Sequence, residues 1–367
     1  MITVTSIAFS ITIVALTLAS SQFGPRLLRN FMMDTGTQVV LGSFISNFMF
    51  CILAFCAISF QQPYAFKPGL TIIVALIMTF LSVVVLIYFI HHVAKSIQAD
   101  VVINDVYREL NFGIKHLFPS EHKKNNSAVS IDSISADFTS LAYQENVLAK
   151  CSGYVQTTDY EEILLIATKS DSVIECKFGP GDFVVQGTLI AIIYSDNIVD
   201  EKEIKQISDR ILLGACRTPV QDPEFAIHQL VEIALRALSP GINDPYSAIT
   251  CVDKLNSVLC GLTERVFPSK QHFDQKGILR VVCKVLTFKD VATAAFEQIR
   301  QHANNNVAVT MRLLSSLHEL IGFANTEEQK EFVIRQTKII KEQQFNRSLA
   351  EADLNVISEK VELILSG

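Results

Sequence analysis

The sequence predicts a multi-pass α-helical membrane part followed by a cytoplasmic α+β domain, in which a small β-barrel or sandwich-like module precedes a helical region. Three observations support this fold class. Three uncharged runs of about 20 residues lie near the N-terminus, a β-rich stretch with a Pro-Gly-Asp turn follows, and the rest has helical periodicity. Hydrophobic residues make up 49% of the 367 residues, charged residues make up 19%, and the mean hydropathy is +0.33. These values favour a membrane protein.

The charge and the cysteines argue against two classes of function. The net charge of −6 is opposite in sign to the basic surface that a nucleic-acid-binding protein needs. The eight cysteines are scattered, without the C-x-x-C or Cys/His spacing of a zinc site. We therefore expect reduced thiols, no nucleic-acid partner, no metal site and no cofactor.

Hydropathy and polar breaks divide the chain into five segments. The transmembrane region is predicted at 1–93, with spans at about 1–19, 39–59 and 69–90, followed by a juxtamembrane helix at 94–118 that continues the third span, a polar linker at 119–146, a β-rich module at 147–195 and a helical cytoplasmic domain at 196–367.

Lysine and arginine near the span ends predict the orientation in the lipid bilayer. The first connection carries Arg26 and Arg29, the second carries only Lys67, and Lys95 follows the third span. The first connection and everything after the third span should therefore be cytoplasmic, with Arg26 and Arg29 near lipid headgroups. This orientation places Met1 outside, which leads us to expect a further span upstream of this chain.

Weakly polar residues line one side of the first span. Thr3, Ser6, Ser10 and Thr17 recur at a spacing close to 3.5 residues, and Asn47 adds a polar group in the second span. Such residues commonly pack helices closely together. They would also suit a water-exposed lining in a homo-oligomer. Both interpretations remain open, and no Asp, Glu, Lys or Arg lies inside a span.

The β-rich module resembles half of a biotinyl/lipoyl-like barrel-sandwich domain. The resemblance lies in residues 147–155 and in the turn Gly179-Pro180-Gly181-Asp182 with the strand after it. An amphipathic helix at 160–168 is inserted, and no Met-Lys-Met hairpin is present to carry a prosthetic group. We therefore expect a structural or ligand-sensing module without covalent biotin or lipoate. Residues 201–216 are predicted to form the next helix.

The turn Arg236–Tyr246 joins two strongly periodic helices and is the best candidate for a site. Pro240 and Gly241 end the first helix, and the Asp-Pro pair at 244–245 starts the second. The candidate ligand or anion residues are Arg236, Ser239, Gly241, Asn243 and Asp244, with Arg217 and Asp222 as possible neighbours. One interpretation is mutual capping of helix ends. The other is a small-anion or ligand site at a helix N-terminus.

No residue of this turn has the sequence context of a catalytic nucleophile. Ser239 lacks a Gly-x-Ser-x-Gly frame, and no histidine has a clear claim as its base. No catalytic residue is therefore predicted, and the sequence favours a protein that is not an enzyme.

Long motifs give the chain a resemblance to a known family. The segments Gln221-Asp222-Pro223-Glu224-Phe225 and 229–248, together with Ser20–Phe31 and Pro180–Val184, are similar to the bacterial predicted membrane proteins known as DUF2254, a domain of unknown function. The resemblance covers most of the chain and implies a bacterial inner-membrane location. Members of that family usually begin with an additional upstream transmembrane segment. The family implies no activity.

Three hypotheses follow for the function. The first is an oligomeric channel-like or sensory assembly with a cytoplasmic regulatory domain. The second is a membrane-bound enzyme, or a small-anion or ligand-binding protein, that uses the turn from Arg236 to Asp244. The third is a membrane scaffold for a cytoplasmic partner.

Overall fold

The computed structural model describes residues 2–27, 31–59, 69–119, 138 and 141–366. The chain forms two compact units. The smaller unit comprises Met1–Asp105 and Glu232–Thr250, and the larger unit comprises Val106–Val231 and Cys251–Gly367. The segment Glu232–Thr250 thus belongs to the unit that contains the N-terminal helices.

The smaller unit contains the three predicted apolar helices. These are α1 (Ile2–Phe23), α2 (Thr35–Ser59) and α3 (Gly69–Ser96), and a short 3₁₀ turn at Pro25–Leu27 follows α1. Each helix is long and apolar enough to cross a membrane. At 1.5 Å per residue, even the 22 residues of α1 measure about 33 Å, close to the thickness of a hydrocarbon core. The prediction of three N-terminal apolar helices is confirmed.

The three helices pack through a small apolar core and one buried amide. The core is formed by Ala8, Val40, Phe44, Phe89 and Val93.

Asn47, in the middle of α2, is 2% exposed and reaches α3. Its Nδ2 atom donates to the Met78 carbonyl at 2.9 Å and to Ser82 Oγ at 2.5 Å. Asn47 therefore joins two helices of the same chain. By contrast, Thr3, Ser6, Ser10 and Thr17 lie on exposed faces of α1.

The third span and the juxtamembrane helix are separate helices. The chain turns at residues 97–98, between α3 and α4 (Ala99–Leu117), where the sequence predicted continuity. Within the larger unit, α4 buries Leu110, Ile114 and the following Phe118.

Among the described residues of the larger unit, eight strands form two open sheets. Their bounds are β1 (Tyr143–Leu148), β2 (Gly153–Thr158), β3 (Ser172–Cys176), β4 (Phe183–Val184), β5 (Leu189–Ser195), β6 (Ile211–Gly214), β7 (Gln271–Phe273) and β8 (Leu279–Val282). One sheet has the order β1-β5-β3-β8-β7, and the other has the order β4-β2-β6. The pairing of β3 with β8 is parallel, and the other pairings are antiparallel.

The predicted barrel is wrong, because the described strands form no closed barrel. The predicted α+β class is confirmed, and the five-stranded sheet contains both parallel and antiparallel pairings. One edge of β3 pairs with β8, which comes from about 100 residues further along the chain. The inserted helix α5 (Tyr160–Ser170) packs its buried Ile163 and Ala167 into the core shared with the strands. Closure was not predictable from residues 147–195 alone, because the competing strand lies outside them.

The helix predicted at 201–216 is also wrong in its second half. Helix α6 covers Glu201–Asp209, and Ile211–Gly214 forms β6, which pairs with β2. The apolar run at 211–213 fits a helix face and a strand equally well. The free edge of β2 decides between them, since the pairing satisfies the backbone groups of both strands.

The remaining described elements are helices, two of which include parts of the segment Glu232–Thr250 of the smaller unit. They are α7 (Pro223–Ala237), α8 (Pro245–Leu262), α9 (Phe288–His302), α10 (Val307–Phe323), α11 (Glu327–Phe345) and α12 (Glu351–Ser366), with a 3₁₀ turn at Ala303–Asn305. Thr326 and Gln329 form a capping box at the start of α11. Thr287 and Asp290 form another at the start of α9.

We expect Asn47→Leu to destabilise the membrane part. The variant removes two interhelical hydrogen bonds, and such bonds in membranes are worth about 0.6 to 2 kcal/mol each. Ser43→Ala is the matched control, because Ser43 Oγ donates only within its own helix, to the Val40 carbonyl. Thermal unfolding of the purified chain in detergent should show a lower midpoint for Asn47→Leu alone. Equal midpoints for the two variants would contradict the assigned contact.

Candidate functional site

The predicted turn is a compact helix corner whose backbone bonds are made internally. Ile242 and Asn243 donate their amide hydrogens to the Ser239 carbonyl at 3.1 and 2.9 Å, and the Asp244 amide donates to the Ala237 carbonyl at 2.7 Å. The left-handed residue is Asn243, with φ of +51°. Gly241 does not take positive φ. The Asp244 bond satisfies the carbonyl of Ala237, the last residue of α7.

The polar side chains of the turn cap helix ends. Ser239 Oγ donates to the Arg236 carbonyl at 2.6 Å. The two carboxylate oxygens of Asp244 accept from the Ser247 amide at 3.1 Å and from Ser247 Oγ at 2.5 Å, which caps the N-terminus of α8. The geometry therefore favours capping over a ligand site, although the proposed ligand role of the turn stays a prediction.

Arg236 and Glu232 contact the start of the first connection of the membrane unit. Arg236 Nη1 donates to the Ser21 carbonyl in the last turn of α1 at 3.3 Å, and Arg236 Nε lies 3.5 Å from Glu232 Oε1. Gly24 has φ of +105°, and a Cβ there would overlap the Glu232 carboxylate and lie 3.0 Å from Arg236 Nε. Any other residue would be strained by the positive φ, and its Cβ would displace the Glu232 carboxylate.

The structure describes only the backbone of one of the two arginines predicted at the membrane interface. The backbone of Arg26 lies in the 3₁₀ turn after α1, and its side chain is outside the described part of the chain. Arg29 and Lys67 also lie outside the described residues.

A second group of functional side chains surrounds a cavity of about 450 Å³ in the larger unit. The cavity brings together the Pro-Gly-Asp turn, the loop before α7, strand β7 and the segment after β8. Its titratable lining is Tyr160, Asp182, Arg217, Glu224, His272, Cys283, Lys284 and Asp290. The sequence analysis named Arg217 and the turn that contains Asp182, but it did not predict that they line the same cavity.

Arg217 is the best-bonded side chain of this cavity. Its Nε and Nη2 atoms donate to the two carboxylate oxygens of Asp222 at 2.5 and 2.7 Å, and Asp222 is 1% exposed. Nη2 also lies 3.4 Å from Glu224 Oε2. Burial alone would lower the pKa of Arg217, but these carboxylates raise it, and burial raises the pKa of Glu224. The Asp222 carboxylate is thus committed to Arg217.

The Pro-Gly-Asp turn packs directly on this ion pair. Gly181 has φ of +92°, and a Cβ there would lie 2.7 Å from Asp222 Oδ2 and 2.9 Å from Arg217 Nη2. Asp182 Oδ2 accepts from the Gly179 amide at 2.8 Å and from Lys284 Nζ at 2.8 Å. The predicted turn is therefore structural, and it also forms a wall of the cavity.

Two aromatic side chains and a thiol also line the cavity. The rings of Tyr160 and His272 stack with centroids 5.9 Å apart, and His272 Nε2 lies 3.3 Å from Cys283 Sγ. Burial raises the pKa of Cys283 to about 11 and lowers that of His272. At neutral pH both groups are therefore uncharged, and the pair lacks the thiolate of an activated nucleophile.

Two buried hydroxyls beside the cavity have no assigned role in the fold. Tyr160 Oη and Thr158 Oγ1 are buried and make no hydrogen bond of normal geometry within the described residues. Burial raises the pKa of Tyr160, so the phenol keeps its proton. A buried polar group without a partner costs about 1 to 3 kcal/mol, which a ligand or a water molecule would offset. Among the described residues, no group of three His, Cys, Asp or Glu side chains could hold a metal ion.

Comparison with known proteins identifies the family. The family model described as "Predicted membrane protein (DUF2254)" matches residues 1–319 of the chain. The chain belongs to the DUF2254 family.

Two relatives of this DUF2254 protein are described as uncharacterized proteins, from Mycobacterium bovis and Mycobacterium tuberculosis. Each is 33% identical over 322 residues, which cover 86% of this chain and 61% of the relative. The chain thus spans about three fifths of the length of these relatives. No solved structure matches it. The family establishes a predicted membrane protein with three candidate spans, of unknown function.

We expect Gly24→Ala to destabilise the smaller unit of the DUF2254 protein. A methyl group there is strained by the positive φ and collides with Glu232, so a loss of about 2 kcal/mol or more is expected. Gly42→Ala, in the interior of α2, is the control, since its added Cβ meets nothing within 4 Å. Thermal unfolding of both variants checks this, and unchanged stability of Gly24→Ala would refute the close approach.

A second pair of glycine substitutions tests whether the Pro-Gly-Asp turn packs on the ion pair of Arg217 and Asp222. Gly181→Ala and Gly187→Ala both place a methyl group at positive φ, +92° and +81°, but only the Cβ at position 181 meets neighbours. Gly181→Ala should therefore lose about 1 to 3 kcal/mol more than Gly187→Ala, because it also pushes Asp222 away from Arg217. Thermal unfolding compares the two, and equal losses would mean that only backbone strain matters.

Proposed function

We propose that this DUF2254 protein is a membrane-anchored sensory protein whose larger unit lies in the cytoplasm and binds a small organic molecule. One observation carries the proposal: a cavity of about 450 Å³ is lined by charged, aromatic and apolar side chains. Cavities that bind small molecules commonly measure about 300 to 1,000 Å³ and combine apolar walls with a few polar groups. The buried hydroxyl of Tyr160, which makes no hydrogen bond of normal geometry within the described residues, supports a ligand that hydrogen-bonds there.

The charges of the lining favour an uncharged or cationic ligand. Three carboxylates and two cations line the cavity, and Asp222 adds a carboxylate behind Arg217. Each cation is already paired, Arg217 with Asp222 and Lys284 with Asp182. An anion would have to break one of these pairs and leave a carboxylate without its partner, which is costly.

The aromatic walls favour a ligand with a ring. Phe118, Tyr160 and His272 all line the cavity, and the last two already stack on each other. Aromatic faces attract flat rings through offset or edge-to-face contacts, and they attract cations through their π systems. We therefore propose a small uncharged or cationic ring compound.

Binding is favoured over catalysis at both candidate sites. In the cavity, the elevated pKa of Cys283 keeps the thiol protonated. In the turn, both carboxylate oxygens of Asp244 are bonded to Ser247, which argues against a membrane-bound enzyme or an anion site built on Arg236–Asp244. No contact among the described residues favours a scaffold role.

A channel-like homo-oligomer is the second candidate. The exposed stripe of Thr3, Ser6, Ser10 and Thr17 on α1 favours it, because weakly polar stripes form helix interfaces in membranes. Asn47 does not, since its amide is used between α2 and α3. Thr17 Oγ1 donates to the Ile13 carbonyl of its own helix, so this hydroxyl needs no water-filled pore. The stripe supports an oligomer contact more than a pore.

Three probes that share one ring test the ligand class: indole is uncharged, tryptamine is cationic and indole-3-acetate is anionic. We expect indole and tryptamine to raise the unfolding midpoint of the full chain in nanodiscs, by an amount that grows with concentration. A ligand at 100 times its Kd stabilises by about 2.7 kcal/mol.

Leu286→Trp fills the cavity and should abolish the midpoint shift. Ile278→Trp is the control, because Ile278 does not line the cavity. Stabilisation by indole-3-acetate alone, or shifts that persist in Leu286→Trp, would contradict the proposal.

Two natural thiols test the cytoplasmic placement. Cys151 and Cys216 are exposed and belong to the larger unit. A membrane-impermeant maleimide should label them only after spheroplasts are permeabilised. The variant with both residues changed to serine gives the background from the other cysteines. Labelling of the two thiols in intact spheroplasts would place the larger unit outside.

A further inference from the structure

The turn between α7 and α8 exposes two large apolar or aromatic side chains in the unit that contains the spans. Ile242 is 41% exposed and Tyr246 is 79% exposed. The backbone amides of Ile242, Asn243 and Asp244 donate within the turn. A segment whose backbone groups bond internally can leave bulk water at a low cost.

Contacts with α1 determine where this turn lies. Glu232 and Arg236 both lie against Gly24, which follows α1, and Arg236 also bonds to the Ser21 carbonyl inside the last turn of α1. The end of α7 therefore lies beside the last turn of α1. The turn begins at Ser239, three residues after Arg236, and so lies near the level of Ser21.

The depth of Ser21 follows from the sequence of α1. The uncharged apolar run of this span reaches Ala19, and the polar residues Ser20, Ser21 and Gln22 come next. Ser21 thus lies where the hydrocarbon core gives way to headgroups. A turn at this level, with an exposed isoleucine and an exposed tyrosine, matches the aromatic and apolar composition of membrane-interface anchors.

We propose that the turn from Ser239 to Tyr246 is a membrane-interface anchor, in which Ile242 and Tyr246 insert at the boundary between lipid headgroups and acyl chains. The tyrosine ring lies against the acyl chains while its hydroxyl reaches the headgroups, and Ile242 adds apolar area. This role assigns the exposed side chains of the turn to the lipid bilayer, and it does not depend on a ligand in the cavity.

The absence of tryptophan from the sequence makes a direct test possible. Tyr246→Trp introduces a single fluorophore at a highly exposed position, and Ile242→Trp provides a second, independent reporter. Each variant of the full chain is reconstituted into phosphatidylcholine vesicles that carry bromine atoms at one defined acyl depth, either shallow or deep. We expect a blue-shifted emission and at least a twofold stronger quenching by shallow than by deep bromines for both reporters.

Two references calibrate the experiment. Leu81→Trp, at an exposed position of α3, should be quenched most by deep bromines. Vesicles without bromine give the unquenched intensity. Emission at the wavelength of tryptophan in water, with quenching by aqueous iodide but not by bromine at either depth, would overturn the proposal. Shielding from both bromine and iodide would also overturn it, because a protein contact would then cover the turn.

Discussion

The architecture of this protein depends on one close approach, between a glycine after the first span and two charged side chains of a later helix. Gly24 has no Cβ, so the Glu232 carboxylate and the Arg236 guanidinium can reach the end of α1, where Arg236 bonds to the Ser21 carbonyl. Carbonyls in the last turn of a helix have no partner within the helix, and an arginine at that position also complements the helix dipole. The contact ties the segment Glu232–Thr250 to the N-terminal helices, although more than 200 residues separate them along the chain.

This contact gives the most distinctive motif of the sequence a physical explanation. The run from Arg236 to Tyr246 contains the residues of a helix end, a left-handed turn and a helix start, and each is used for that purpose. The candidate binding chemistry lies in the cavity of the larger unit, where Arg217 and Asp222 pair beside the Pro-Gly-Asp turn. The most distinctive sequence motif and the candidate binding residues therefore lie in different units of the molecule.

The sequence predicted well wherever the information was local. Uncharged runs identified three helices, and the Asp-Pro pair at 244–245 identified the start of α8. It failed where distant segments decide the outcome. The barrel and the second half of the helix at 201–216 were wrong because β8 and β2 offer pairing edges that no local pattern reveals. In the cavity, Tyr160, His272 and Cys283 come from three separate elements, and their spacing along the chain carries no signal of their contact.

A double-mutant cycle between Gly24→Ala and Glu232→Ala tests the central contact most directly. If the added methyl group collides with the Glu232 carboxylate, truncating Glu232 should remove that collision. The double variant should then be more stable than the sum of the two single losses predicts, by about 0.5 to 3 kcal/mol, with only the strain of positive φ remaining. Thermal unfolding of the four proteins in one detergent gives this coupling energy. Strictly additive losses would contradict the account, because they would mean that the added methyl group and the Glu232 carboxylate do not collide.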